Sequence, residues 1–332
     1  MDTPLRSTCD VLRVAALLVL LPVLPSPASA QAPPVVDATG RSIEARPASF
    51  RRVASLVPSA TDFIVALGAA GRLVARTRYD TTDAVSHAES VGEPLSPSRE
   101  QLAAARPDLV VAWPRVRQLG LGTWLSELGA TLFVVRPETM EGMQAMLVGL
   151  GRLLGSEPAA DSLGAVLSCQ LRTVGEAVTG RPKTRVAYLI WPDPLFAAGP
   201  DTYLDSLIRT AGGRNVLHDA ASPWPQVSLE SLTAADPDVL LLGSIEAGSS
   251  GWSSLRDHFV WPSLRAVRTD RVYELPAALF HRPGPQVGRA AAVLARRLHP
   301  EVEVPDQEIC VPPTPARSDV DARPDSEDSW AG

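Results

Sequence analysis

Cysteine is scarce, with Cys9, Cys169 and Cys310 the only three in the chain, too few for a disulfide framework. No CxxC, no HExxH and no clustered His/Asp spacing occurs, which argues against a resident metal. No G-x-S-x-G is present either, so an exported α/β hydrolase lacks its nucleophile elbow; "LGSIEAG" (242–248) is not one, and His218 and His258 have no Ser or Cys partner at a strand end. There is no basic excess: the net charge is −6, and nucleic acid drops out as a partner class. The one long apolar run near the start, "VAALLVLLPVL", is too short and too proline-rich to span a bilayer. Tryptophan is missing altogether before Trp113.

What is there begins with a three-part leader. Arg6 and Arg13 precede that apolar run, and "SPASA" ends in an Ala-x-Ala pattern at Ala28 and Ala30, the layout of a secretory signal removed after Ala30. Cys9 lies before the run, so no lipid-bearing cysteine follows cleavage, and the expected product is a free exported protein. An oxidising compartment permits a bridge between Cys169 and Cys310, 141 positions apart; the sequence leaves the bridged and free states both open.

The chain, 332 residues with 45% hydrophobic and 20% charged content, has length for about two domains. A spacer (31–47) is followed by alternating strands and helices. Strands are expected at 51–57, 72–77, 108–113 and 131–136, with helices at 58–69 (capped by Ser59 or Thr61), 99–106 and 122–130. From Glu138 to about Thr179 no strand is expected. Helical patterns fill 138–155 and 156–180, the second capped by Ser156, with Pro158 early and Gly180 and Pro182 as its stop. At about 23 residues that second helix would be about 35 Å long, enough to span a domain. A second series follows: strands at 185–191, 238–243 and 271–276, helices at 203–212, 229–236 and 285–299. The expected fold is α/β, two similar parallel-sheet lobes with flanking helices joined by one long rigid helix. The segments are a signal (1–30), an N-terminal lobe (31–137), a helical segment (138–182), a C-terminal lobe (183–303) and a disordered Pro-, Asp- and Ser-rich tail (304–332).

The two lobes echo each other. "SREQLAAARPDLVVAW" (98–113) aligns with "SLESLTAADPDVLLLG" (228–243) at a constant offset of 130, matching Ser98/Ser228, Glu100/Glu230, Leu102/Leu232, Pro107/Pro237 and Asp108/Asp238. Paired lobes make one cleft, and ligands of parallel sheets sit at the carboxyl ends of the strands. Four of the seven tryptophans, Trp113, Trp191, Trp224 and Trp261, precede proline, which holds their backbone out of helical geometry. Each could be a core or loop anchor. Together, Trp113, Trp191 and Trp224 suit the wall of a cleft for a large, partly flat, partly polar ligand. Glu100 and Glu230 fall at the second helical position after Ser98 and Ser228, not the third that a reciprocal capping box prefers. They either complement the helix dipole or form two acidic knobs, one per lobe, for a two-fold partner with basic sockets.

"RRVASLVPSATDFIVALGAAGRLVARTRYD", "VGEPLSPSREQLAAARPDLVVAW", "SPWPQVSLESL" and "FHRPGPQ" resemble the periplasmic cobalamin-binding proteins of ATP-driven (ABC) importers, over roughly residues 50–300. "PWPQVS" is the most specific segment, whereas "SLVPSATD" and "RPDLVV" also occur in relatives that carry haem or iron–siderophores. The resemblance implies a periplasmic, monomeric, non-enzymatic substrate-binding protein without a cofactor of its own. Its ligand would be cobalamin or another corrinoid, and its partner a two-fold permease in the inner membrane. It places aromatic ligand contacts on Tyr79, Trp113 and Trp224, with Trp191 or Phe196 nearby, the cleft arginine on Arg282, and transporter-docking carboxylates on Glu100 and Glu230. The chain departs from the family where Val91 or Gly92 replaces an aromatic, Thr82 a tyrosine, and Ala278 or Leu279 the acidic partner of the cleft arginine. The family's C-lobe disulfide has no matching cysteines. His281, beside Arg282, either approaches a ligand's metal or is a polar loop residue.

Overall fold

The computed structural model describes residues 33–44, 50–243, 251–305 and 309–310; the expected leader and most of the expected tail lie outside them. The first lobe is a parallel sheet of five strands, β3 (Val53–Ser55), β4 (Leu73–Arg76), β5 (Glu89–Ser90), β6 (Leu109–Ala112) and β7 (Thr131–Val134), in the order β5-β4-β3-β6-β7. Val53, Leu109, Val110 and Val111 are fully buried, as expected of strands covered on both faces. The segment expected to be a spacer instead forms a small hairpin, β1 (Val35–Val36) and β2 (Ser42–Ile43). Val35 and Ile43 are buried, so their apolar side chains decide the matter.

Helices α1 (Pro58–Ala66), α2 (Arg99–Ala104) and α3 (Leu121–Glu127) flank this sheet. Ser98 caps α2 by accepting from the Gln101 N–H at 3.3 Å. The cap expected for α1 is different. Pro58 takes the first turn and Val57 the cap position, while the buried Thr61 hydroxyl donates to Ser55 Oγ at 2.9 Å. Buried hydroxyls must find partners, and the end of β3 supplies one.

Two helices then run consecutively, α4 (Met140–Leu154) and α5 (Glu157–Ala177). Thr139 caps α4 through its side chain, whereas Ser156 stands at the cap of α5 without a side-chain bond to it. The bridging helix α5 has 21 residues, about 31 Å. It is slightly shorter than expected, because the chain leaves helical geometry at Val178 and turns at Gly180 with φ 78°.

The second lobe carries β8 (Thr184–Pro192), β9 (Leu195–Ala197), β10 (Gly213–Asn215), β11 (Val239–Gly243) and β12 (Val272–Leu275). The order is β10-β8-β11-β12, all parallel, with β9 antiparallel to β8. Helices α6 (Tyr203–Thr210), α7 (Leu229–Ala235) and α8 (Val287–Leu298) accompany it. Smaller helical turns lie at Arg115–Gln118, Ser253–Arg256, Arg265–Arg268 and Ala277–Phe280.

The internal repeat is a structural duplication. In the first lobe the Arg52 guanidinium donates to the Ala105 and Arg106 carbonyls, and Asp108 accepts from the Arg52 N–H. In the second, Arg185 donates to the Ala235 and Asp236 carbonyls, and Asp238 accepts from the Arg185 N–H. The corner residues Arg106 and Asp236 share the same left-handed backbone, φ 45° and 44°. One cluster of buried apolar residues runs from Val53 and Phe63 through Leu150, Leu167 and Val174 of the two consecutive helices to Tyr188 and Leu294. The lobes therefore share a core through the bridge, a stiff connection in a close-packed interior.

Cys169, on the bridging helix, is bonded to Cys310, with Cα atoms 5.8 Å apart. Of the expected tail, residues 304–305 and 309–310 are described, and Cys310 among them carries this bond. Val304 and Cys310 are buried, held by the crosslink.

Candidate functional site

The carboxyl ends of both sheets face one cleft. Its main chamber, about 710 Å³, is lined from the first lobe by Pro58, Ser59, Arg78, Tyr79, Pro94 and Trp113, and from the second by Ile190, Trp191, Ala278, His281, Arg282 and others. A side chamber of about 740 Å³ shares Tyr79, Pro94 and Trp113 and continues over Arg115, Arg136 and Glu138. Aromatic walls with a few polar groups are the usual make-up of a ligand site.

Each aromatic has a local reason for its place. Tyr79 follows β4 on a tight turn in which the buried Asp80 accepts from the Thr77 N–H (2.9 Å) and hydroxyl (2.6 Å). Its ring carries the Arg78 guanidinium 4.9 Å from its centroid, and its hydroxyl donates to Glu93 at 3.1 Å. Trp113 immediately follows β6, half-buried against the shared core. Trp191, near the end of β8, is 46% exposed, and its indole N–H donates to the Asp193 carbonyl at 2.9 Å.

Phe196 and Trp224 are placed otherwise. Phe196 on β9 pairs directly with Trp191. The segment 223–227 is hydrogen-bonded along β9, through Ala197 N–H to Pro225 carbonyl and Gly199 N–H to Pro223 carbonyl. This register sets Trp191, Phe196 and Trp224 along one antiparallel ribbon. Neither Phe196 nor Trp224 lines the two chambers; Trp224 is exposed on the ribbon. Gly199 permits this packing, since a Cβ there would stand 2.5 Å from the Ser222 carbonyl oxygen. Trp261, the fourth of the proline-preceding indoles, is buried in the outer core of the second lobe.

Arg282 crosses the cleft. Its guanidinium lies 3.5 Å from Asp62 on α1 and donates to the Tyr79 carbonyl. Burial raises the Asp62 pKa; Arg282 opposes the shift and Asp80 adds to it. No acidic residue stands at Ala278 or Leu279, and the carboxylate beside Arg282 comes from the opposite lobe. Sequence reasoning missed Asp62, Asp80 and Thr77, whose only signal was to be polar residues within a helix and just after a strand. His281 lines the main chamber and is held neutral, its pKa lowered to about 4 by burial. Its Nε2 has no hydrogen-bond partner among the described residues and packs against Gly243, where a Cβ would sit 2.2 Å away.

Glu100 and Glu230 are both exposed at the second position of α2 and α7. The reciprocal capping box of α7 is closed by Ser231, which leaves Glu230 outside it. The Glu230 pKa is lowered, first by its own backbone N–H, then by Ser228 and by nearby His258. Among the described residues no group of three or more His, Cys, Asp or Glu is gathered to hold a metal ion.

Two duplicated α/β lobes, joined by a helix and enclosing an aromatic cleft at their strand ends, define a bilobal ligand-capture protein. The chain belongs to the periplasmic binding protein family, whose profile matches residues 53–279. It is 28% identical over 260 residues to a cobalamin-binding protein of Halobacterium salinarum, covering 75% of this chain and 69% of that one. The periplasmic vitamin B12-binding protein of Vibrio cholerae has a similar fold, with a TM-score of 0.63 and 24% identity over 75% of this chain and 96% of the other. So does a periplasmic haem-binding protein from Pseudomonas aeruginosa, with a TM-score of 0.69 and 22% identity over 77% and 95%.

Proposed function

We propose that this protein captures cobalamin or a related corrinoid in the interlobe cleft outside the inner membrane and delivers it to an ABC importer. The observation that carries the proposal is the main chamber, where Tyr79 and Trp113 of one lobe face Trp191 and Arg282 of the other. A corrin offers flat apolar faces to such a wall and a fringe of amides to its polar groups. Capture needs no covalent chemistry. The name of the Halobacterium relative supports the same cargo. Trp224 and Phe196, on their exposed ribbon, are proposed to meet ligand at the rim.

Delivery rests on Glu100 and Glu230, exposed and equivalent on the two lobes, as knobs for basic sockets on a two-fold permease. The protein is proposed to act as an exported monomer, its leader removed after Ala30. A mass spectrum of the protein as isolated, joined to competition between cyanocobalamin and haem, tests the cargo. A co-purified corrinoid, displaced by cyanocobalamin and not by haem, is expected; tighter binding of haem overturns the assignment.

A further inference from the structure

The side chamber carries charge that capture of a neutral ring does not use. Arg115 sits on the helical turn after Trp113, and Arg136 directly follows β7 and Val135. Their strands are adjacent and parallel, with Ala112 opposite Val134, so both guanidinium groups rise from the same edge of the sheet into one chamber. Among the described residues neither forms an ion pair or side-chain hydrogen bond.

Two carboxylates share the chamber. Glu93 is committed elsewhere, 2.8 Å from the Arg78 guanidinium and accepting from the Tyr79 hydroxyl. Glu138 is half-buried, and burial raises its pKa, with its own backbone N–H and Arg136 opposing. Two arginines without a salt bridge therefore face one partly buried acid, which Arg136 already influences. Arginine's planar fork suits phosphate oxygens, and charge-assisted hydrogen bonds are the stronger ones.

The two chambers meet at Tyr79 and Trp113. That geometry suits a two-part ligand, a ring in the main chamber and a pendant arm turned past the aromatic wall. We propose that Arg115 and Arg136 form a subsite for an anionic arm, the nucleotide-loop phosphodiester of a complete corrinoid. This rests on the corrinoid reading above and deepens it: the protein selects complete corrinoids over those lacking the nucleotide loop.

The test measures dissociation constants of cyanocobalamin and of dicyanocobinamide, which lacks the phosphodiester, for the wild type and for Arg115→Gln, Arg136→Gln and the double variant. Both positions are exposed, and melting temperature checks that the variants fold. The wild type is expected to prefer cobalamin, and the double variant to lose about tenfold or more of that preference, from two charge-assisted contacts. The preference should also shrink at high salt. A preference that survives in the double variant, or equal losses for both ligands, overturns the subsite alone. A wild type that binds neither corrinoid overturns the cargo reading instead.

Discussion

Arg282 and Asp62 join the two lobes across the cleft, guanidinium to carboxylate at 3.5 Å, although 220 residues separate them in the chain. Both side chains are largely shielded from water, 22% and 30% exposed, and the same guanidinium holds the Tyr79 carbonyl. Arg282 is therefore set in place by the opposite lobe before any ligand arrives.

That arrangement makes Asp62 a positioning residue. Arg282→Ala and Asp62→Ala should each weaken corrinoid binding, the arginine change more. A double-mutant cycle on the binding constants should give a coupling of about 0.5–1 kcal/mol or more. Strict additivity contradicts a shared role.

His281 predicts a pH dependence of stability. In the folded protein its pKa is lowered to about 4 by burial, against 6.5 when free. Between those values the unfolded chain binds the proton and the folded one does not. The His281 contribution is therefore fully present above about pH 6.5 and lost as pH falls toward 4. The amount is roughly 2–4 kcal/mol. Denaturant unfolding across this window should show a wild-type slope that is reduced in His281→Gln; equal slopes contradict the assignment.

The order of elements was legible because buried strands are β-branched runs and helices carry apolar periodicity. The duplicated 98–113 and 228–243 segments exposed the two-lobe plan, and the prolines after Trp113 and Trp191 marked them as strand-end residues. Other features depend on partners distant in the chain. Asp62 is one polar residue on a helix until Arg282 is folded against it, and the pairing of β9 with 223–227 carries Trp224 along a ribbon instead of into the chambers. The hairpin β1–β2 has strands of two residues each, too short for any period to show.

The crosslink between Cys169 and Cys310 closes a loop of 141 residues. Its constraint on the unfolded chain is about 5 kcal/mol in the chain-entropy account, of which such bonds typically deliver about 2–4 kcal/mol. The Cys169→Ser/Cys310→Ser variant should melt roughly 5–10 °C lower, while corrinoid affinity stays, since neither cysteine lines the cleft. An unchanged melting temperature contradicts a stabilising bond.

Charge reversal at Glu100 and Glu230 separates capture from delivery. The double lysine variant should bind corrinoid as the wild type does, because both carboxylates lie outside the chambers. Uptake by cells that depend on this protein should collapse. Full uptake by the variant contradicts the docking role.

Calorimetric titration of cyanocobalamin into the mature protein, beside a Tyr79→Ala/Trp113→Ala/Trp191→Ala variant, tests the central claim most directly. The account predicts one ligand per chain at micromolar affinity or better for the wild type, and at least about a hundredfold loss in the variant, from three truncated aromatic contacts of about 1 kcal/mol or more each. No binding at micromolar ligand, or equal binding by the two proteins, would contradict it.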